Sequence, residues 1–225
     1  MPNIPTVGIF IPNSYLNAGS FSSPSGQGDA YGNIYPSGLT PGKVIEVSAS
    51  EARGIAIPGT NLYDGAYQVV LLDSGATASL ATQGLSAWIR LDSGATQTGL
   101  PESDYENATV TTADQVNTLG GAAIFAGIFI NPATVNGVAN GPTPGQYCFL
   151  FVGAGRATVT YNGSASVGNN VLPTAPSVGS GQFVPAGFAA SAYPNGLALT
   201  ATTGAASQGV AMYQNLLYRI ANQGV

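Results

Sequence analysis

The chain has 225 residues, of which only 7% are charged, and carries a net charge of −5 at pH 7. It contains no histidine, one lysine (Lys43) and one cysteine (Cys148), and no Asp or Glu follows Asp114. Proton transfer by side chains relies mainly on His, Asp, Glu and Lys, so general acid–base catalysis is excluded from residues 115–225.

Charge is unevenly distributed. Residues 1–114 hold ten acids and three bases, whereas residues 115–225 hold only Arg156 and Arg219. No basic patch exists to neutralise phosphates, which argues against nucleic-acid binding. The longest apolar stretch, Gly120 to Ile130, falls short of the roughly 20 residues that span a bilayer, so no membrane span is expected. Met1-Pro2-Asn3-Ile4-Pro5 lacks the basic and apolar regions of a secretory signal, so synthesis in the cytoplasm is expected. Low charge accompanies disorder only when apolar content is also low; here it reaches 44%, with 11 Tyr and 8 Phe. The surface must therefore be neutral and polar, which suits a subunit packed against others.

In chain order, a first strand is predicted at Thr6–Ile11. Residues 12–42 are rich in Gly, Ser, Asn and Pro, yet include Tyr15, Phe21, Tyr31 and Tyr35. Four aromatics are unusual in a flexible linker. The segment reads as an extended N-terminal arm whose aromatics contact a neighbouring subunit, or equally as a long loop folded back on its own domain. Strands follow at Val44–Ser48, Gly54–Ile57 and Tyr67–Leu72. Ser86–Leu91 alternates, with Ser86, Trp88 and Arg90 on one face and Ala87, Ile89 and Leu91 on the other. Another strand is expected over Ala122–Ile130, and Gln146–Val152 is apolar on both faces, as in a strand covered on both sides. Cys148 lies in that run as a small buried hydrophobe.

Arg156–Tyr161 alternates with Ala157, Val159 and Tyr161 inward, and its Asn162-Gly163 ending predicts a hairpin. Gln182–Ala190 and Leu197–Ala201 complete the series with Val210–Leu217, read as a closing strand although Met212, Leu216 and Ile220 also fit one helix face. About ten short strands between Gly and Pro indicate an all-β sandwich or jelly-roll-like barrel. The domains are an arm, 1–42, and a β domain, 43–225, with a possible subdivision near 101–117, where the acids stop.

Leu72-Asp73-Ser74-Gly75-Ala76-Thr77 returns as Leu91-Asp92-Ser93-Gly94-Ala95-Thr96, as at equivalent strand ends of a small duplicated unit. Asp-Ser-Gly also looks like an aspartic-protease loop, but Asp73 and Asp92 are too close to come from two lobes of one enzyme. The preferred reading is a turn, with Asp capping its own backbone and Gly supplying positive φ. Glu102, Asp104 and Glu106 would share one face of an extended segment; a solvated acidic loop is preferred to a calcium site. Gly153-Ala154-Gly155 precedes a strand rather than a helix, so it is no dinucleotide fingerprint. The glycosylation sequons at Asn107 and Asn162 carry little meaning without a secretory signal. No catalytic residue, cofactor or metal ligand is assigned.

The strand Arg156–Tyr161, the turn and apolar pair in Gly168-Asn169-Asn170-Val171-Leu172, and the later Gly187-Phe188-Ala189 stretch have a shared cadence. In these segments, well under half of the chain, the protein resembles tailed-phage capsid decoration (cement) proteins. That resemblance implies a β-rich, often trimeric protein without catalytic residues, sitting on the virion capsid surface and stabilising contacts between major capsid subunits. Its partners would be the major capsid protein and itself, as a homotrimer. The alternative is a virion fibre or receptor-binding module recognising glycans, for which Trp88 and the many Tyr and Asn residues could supply contacts. A glycosidase using N-terminal acids comes third, with no pair to nominate.

Overall fold

The computed structural model describes residues 42, 44–55, 62–90, 109–119, 123–135, 137–153, 155–174, 179–186 and 196–213. The strand read at Thr6–Ile11, the arm with Tyr15, Phe21, Tyr31 and Tyr35, the second Asp-Ser-Gly copy and the acids Glu102, Asp104 and Glu106 lie outside them.

The fold is all-β, and its strands are shared between two small barrels. The first part contains β1 (Val44–Val47), α1 (Ala49–Ile55), β2 (Gly65–Leu72), β3 (Ser86–Arg90), β4 (Thr109–Thr112), α2 (Ala113–Leu119), β5 (Ala123–Phe129), β6 (Thr134–Val135), β7 (Val138–Ala139) and β8 (Tyr147–Gly153). The second contains β9 (Gly155–Tyr161), β10 (Asn170–Pro173), β11 (Phe183–Ala186), β12 (Gly196–Ala198) and β13 (Ser207–Tyr213). Strands β2, β4, β3, β5 and β8 close into a ring through the β2–β8 pairing, with β1 added along β2 and β6–β7 as a separate short hairpin. Strands β9, β11, β10, β12 and β13 close a second ring.

The two rings have the same topology. With the five strands of each barrel numbered in chain order, the circuit is first, third, second, fourth, fifth and back to first. In both barrels the first–third pair is parallel (β2 with β4, β9 with β11). The other four pairs are antiparallel in both. The division between barrels falls at residue 154. Residues 109–112, within the region read as a possible subdivision, form a strand of the first barrel.

Alternation along the strands builds the cores. Val70, Leu72, Ala87, Ile89, Phe129, Cys148 and Leu150 fill the first barrel. Their strand neighbours Tyr67, Val69, Phe149 and Phe151 point outward, yet are buried against the second barrel. Strand β8 is thus covered on both faces, as its doubly apolar sequence requires. Ala157, Val159 and Tyr161 face the second core, again as their alternation indicates.

Three local readings are corrected. Gly54 and Ile55 end a helix rather than opening a strand. Ser48 caps that helix: its Oγ accepts from the Glu51 N–H at 3.3 Å, and Glu51 Oε2 accepts from the Ser48 N–H at 2.7 Å. This reciprocal capping box draws the Glu51 carboxyl below its ordinary pKa. Asn162-Gly163 makes no hairpin, because both edges of β9 are taken, by β13 and by β11, and the chain is led away after Tyr161. At Asp73, Oδ1 accepts from the Gly75 N–H at 3.0 Å, a self-capped turn, but Gly75 is not among the positive-φ glycines.

Candidate functional site

The seam between the barrels is the most elaborated feature of the described residues. A file of edge-to-face aromatic contacts crosses it: Tyr67 to Phe151 (5.7 Å), Phe151 to Tyr213 (6.1 Å), Tyr213 to Phe183 (6.2 Å), Phe183 to Phe125 (6.0 Å) and Phe125 to Trp88 (5.8 Å). Tyr213 and Phe183 face inward in the second barrel, whereas Tyr67, Phe151, Phe125 and Trp88 belong to the first. The outer wall of the first barrel therefore plugs the core of the second. Edge-to-face pairs of this kind add about 0.5–1.5 kcal/mol each beyond the area they bury.

Backbone bonds stitch the same seam. The Thr160 N–H donates to Gly84 O at 2.8 Å, and the Ser86 N–H donates to Gly181 O at 2.8 Å. Two glycines permit this approach. Gly84 has φ +84°, and a Cβ there would meet Thr160 at 2.7 Å; a Cβ on Gly155 would stand 2.0 Å from Asp64 O.

At the rim, Arg156 Nε and Nη2 donate to Asp64 Oδ1 at 3.0 and 2.7 Å, with the guanidinium 5.3 Å from the Tyr63 ring centre. The Arg156 hydrogen bond holds the Asp64 carboxyl below its ordinary range, and Asp64 raises the Arg156 pKa in turn. Both side chains remain over a third exposed, so the pair contributes little to stability. The adjoining cleft, lined by Tyr63, Gln83, Ile130, Arg156 and Thr158, has room for no more than a water molecule.

The buried phenols are held neutral. Burial pushes Tyr161 up to about 12 and raises Tyr67 and Tyr213 well above the ordinary value. Tyr67 donates to Tyr63 O, while the Tyr161 and Tyr213 hydroxyls have no hydrogen-bond partner among the described residues. Cys148 is fully buried, and burial lifts its thiol to about 12, well away from the thiolate form a nucleophile needs. Trp88 is 6% exposed, rests on Phe125 and donates its Nε1–H to Ser86 Oγ at 2.9 Å, so it offers no platform to a glycan. Asp114 lies in the first turn of α2. Burial opposes its charge, but hydrogen bonds from Thr112, Thr77 and Gln115 outweigh that and keep its carboxyl below the ordinary range.

Cys148, read as a small buried hydrophobe, and Asp73, read as capping its own turn, take those places, whereas Trp88, offered as a glycan contact, is buried. The structure brings together a set that spacing did not reveal: Tyr63, Asp64, Gly84, Phe183 and Tyr213. Only Arg156, read simply as the outward start of a strand, lay near that set in the sequence argument.

No protein-family model and no curated protein matches this chain. Among solved structures it is similar to the head fibre gp8.5 N base of bacteriophage phi29, at 12% identity over 67% of this chain and 96% of that one, with a TM-score of 0.33.

Proposed function

We propose that this is a structural protein of a phage particle that binds the outside of the capsid and stabilises contacts between major capsid subunits. It does so as a homotrimer without catalytic chemistry, cofactor or metal. The observation that carries this reading is the pairing of a closely packed double-barrel body with a sequence of which only 7% is charged. Two closed barrels are locked by an aromatic seam, and only two charged side chains, Arg156 and Arg219, follow Asp114. A clamp needs shape, contact area and rigidity, and each of these is supplied by neutral β structure. Repetition over a shell lets modest contacts add up through multivalency. The aromatics Tyr15, Phe21, Tyr31 and Tyr35 would extend the contact with the major capsid protein.

The test is the copy number of this protein in purified particles. A near-equimolar ratio to the major capsid protein is expected. A ratio far below that would make it a fibre or vertex component, and absence from particles would overturn the proposal.

A further inference from the structure

Three side chains of the first barrel stand in reacting order. Thr77, between β2 and β3, donates its hydroxyl proton to Asp114 Oδ2 at 2.5 Å. Gln115 Nε2 donates to Thr77 Oγ1 at 3.3 Å and to the same Asp114 Oδ2 at 3.2 Å. A hydroxyl, a carboxylate and a side-chain amide thus meet at one point, and a single carboxylate oxygen touches both of the others. Passing an acyl group from nitrogen to oxygen needs this set: a nucleophile, a base that reaches its proton, and a leaving group beside the same base.

The fold holds the set in place. The Thr77 N–H donates to Thr112 Oγ1 at 3.0 Å, and the preceding Ala76 is buried in the first core. On the other side, Ala113 and Val116 are buried with Trp88, which fixes the turn of α2 that carries Asp114 and Gln115. The Asp114 carboxyl titrates below its ordinary range, so it is ionised at neutral pH and ready to take a proton. Holding reacting groups in contact and in orientation is what lets an otherwise inert amide react inside a protein.

We propose that Thr77 and Gln115 join in an ester cross-link once the chain has folded, with Asp114 acting first as base and then as acid. Thr77 Oγ1 attacks Gln115 Cδ while its proton passes to Asp114 Oδ2, and the C=O electron pair moves onto Oε1. When the carbonyl re-forms, the Cδ–Nε2 bond breaks, and the nitrogen takes that proton and leaves as ammonia. The net change exchanges an amide for an ester, with no redox step and no co-reactant. It happens once in each chain, as a self-modification without turnover. The ester bridges residues 38 apart and constrains the unfolded chain as a disulfide does. A single cysteine cannot supply such a bridge within this chain. The inference is independent of the particle role.

The test is the mass of the purified full chain, fresh and after long incubation. The expected mass is below that of the sequence by one ammonia. Arginines at 53, 90 and 156 let trypsin place Thr77 in peptide 54–90 and Gln115 in peptide 91–156. The two peptides should run as one species and separate in alkali, which cleaves esters. Thr77→Val keeps the shape and abolishes the link, and Asp114→Asn slows its formation at least about a hundredfold. Melting temperatures establish that both variants are folded. A native chain of full mass with separate peptides, or a Thr77→Val chain that still loses ammonia, would overturn the inference and leave only a hydrogen-bond network. A folded Asp114→Asn chain that links as fast as the native one would overturn the role given to Asp114.

Discussion

The two barrels follow one circuit of strands and solve the problem of a core differently. The first fills its ring from its own strands, with Leu72, Ile89, Phe129 and Leu150 packed inside. The second sets Tyr161, Phe183 and Tyr213 among small residues such as Ala157, Ala198 and Ala211, and its Phe183 and Tyr213 close against Phe125 and Phe151 of its neighbour. Topology alone therefore does not make a unit self-sufficient. The first barrel is a scaffold with a core of its own, and the second completes its core only by docking.

The largest expected effect is on that dependence. Phe183→Ala removes a fully buried ring from the aromatic file and should cost about 3–5 kcal/mol. Cys148, buried in the first core, reports on that barrel separately through thiol labelling. In Phe183→Ala the tyrosine signals of the second barrel are lost at lower denaturant while Cys148 stays protected. Coincident loss of both would show the two barrels to be one cooperative unit and break the comparison. Gly155→Ala comes next, at roughly 1–3 kcal/mol, since its methyl group would be forced against Asp64 O. Gly163→Ala, with open space around it, should leave the denaturation midpoint almost unchanged.

Ser48→Ala removes the cap of α1 and should cost about 1 kcal/mol in chemical denaturation. Ala52 of that helix packs in the apolar cluster shared by both barrels, so Cys148 labelling and the signals of the second barrel should both respond. Below the cap comes Asp64→Asn, at about 0–1 kcal/mol for an exposed pair. Its pH dependence has a definite sign. The folded carboxyl titrates below its ordinary value of 3.8, so the pair contributes above that value and is lost as pH falls through the depressed one. The melting difference between native and Asp64→Asn should be present at neutral pH and shrink well below pH 3.8.

Much of the strand inventory was legible because alternation is a local signal. Trp88 with Ser86, and Ala157 with Val159 and Tyr161, lie on the faces their spacing gives them. The helix after Ser48 is encoded in the Ser48-Ala49-Ser50-Glu51 capping box, a signal overshadowed by the apolar runs on either side. Thr109–Thr112 falls within the possible subdivision near 101–117, yet Val110, Thr111 and Thr112 are buried, with Thr112 Oγ1 accepting from the Thr77 N–H. Threonine suits a strand where its hydroxyl finds such a partner. The ring order and the seam were not legible at all. They depend on pairings such as Arg156 with Asp64, 92 residues apart, and no local pattern encodes them. The twin Asp-Ser-Gly turns suggest a small duplicated unit, whereas the described residues repeat a topology carried by dissimilar sequences.

Within each ring the first and fifth strands are neighbours, and this arranges the chain in a particular way. Ala66 stands opposite Gly153, Gly155 stands opposite Tyr213, and the Arg156 N–H reaches Asp64 O. Both barrels thus begin and finish at a single junction, each hanging from it as a closed loop of polypeptide. Either loop could be exchanged for another of similar girth without rethreading its companion, which makes the junction a natural graft point for building chimaeras.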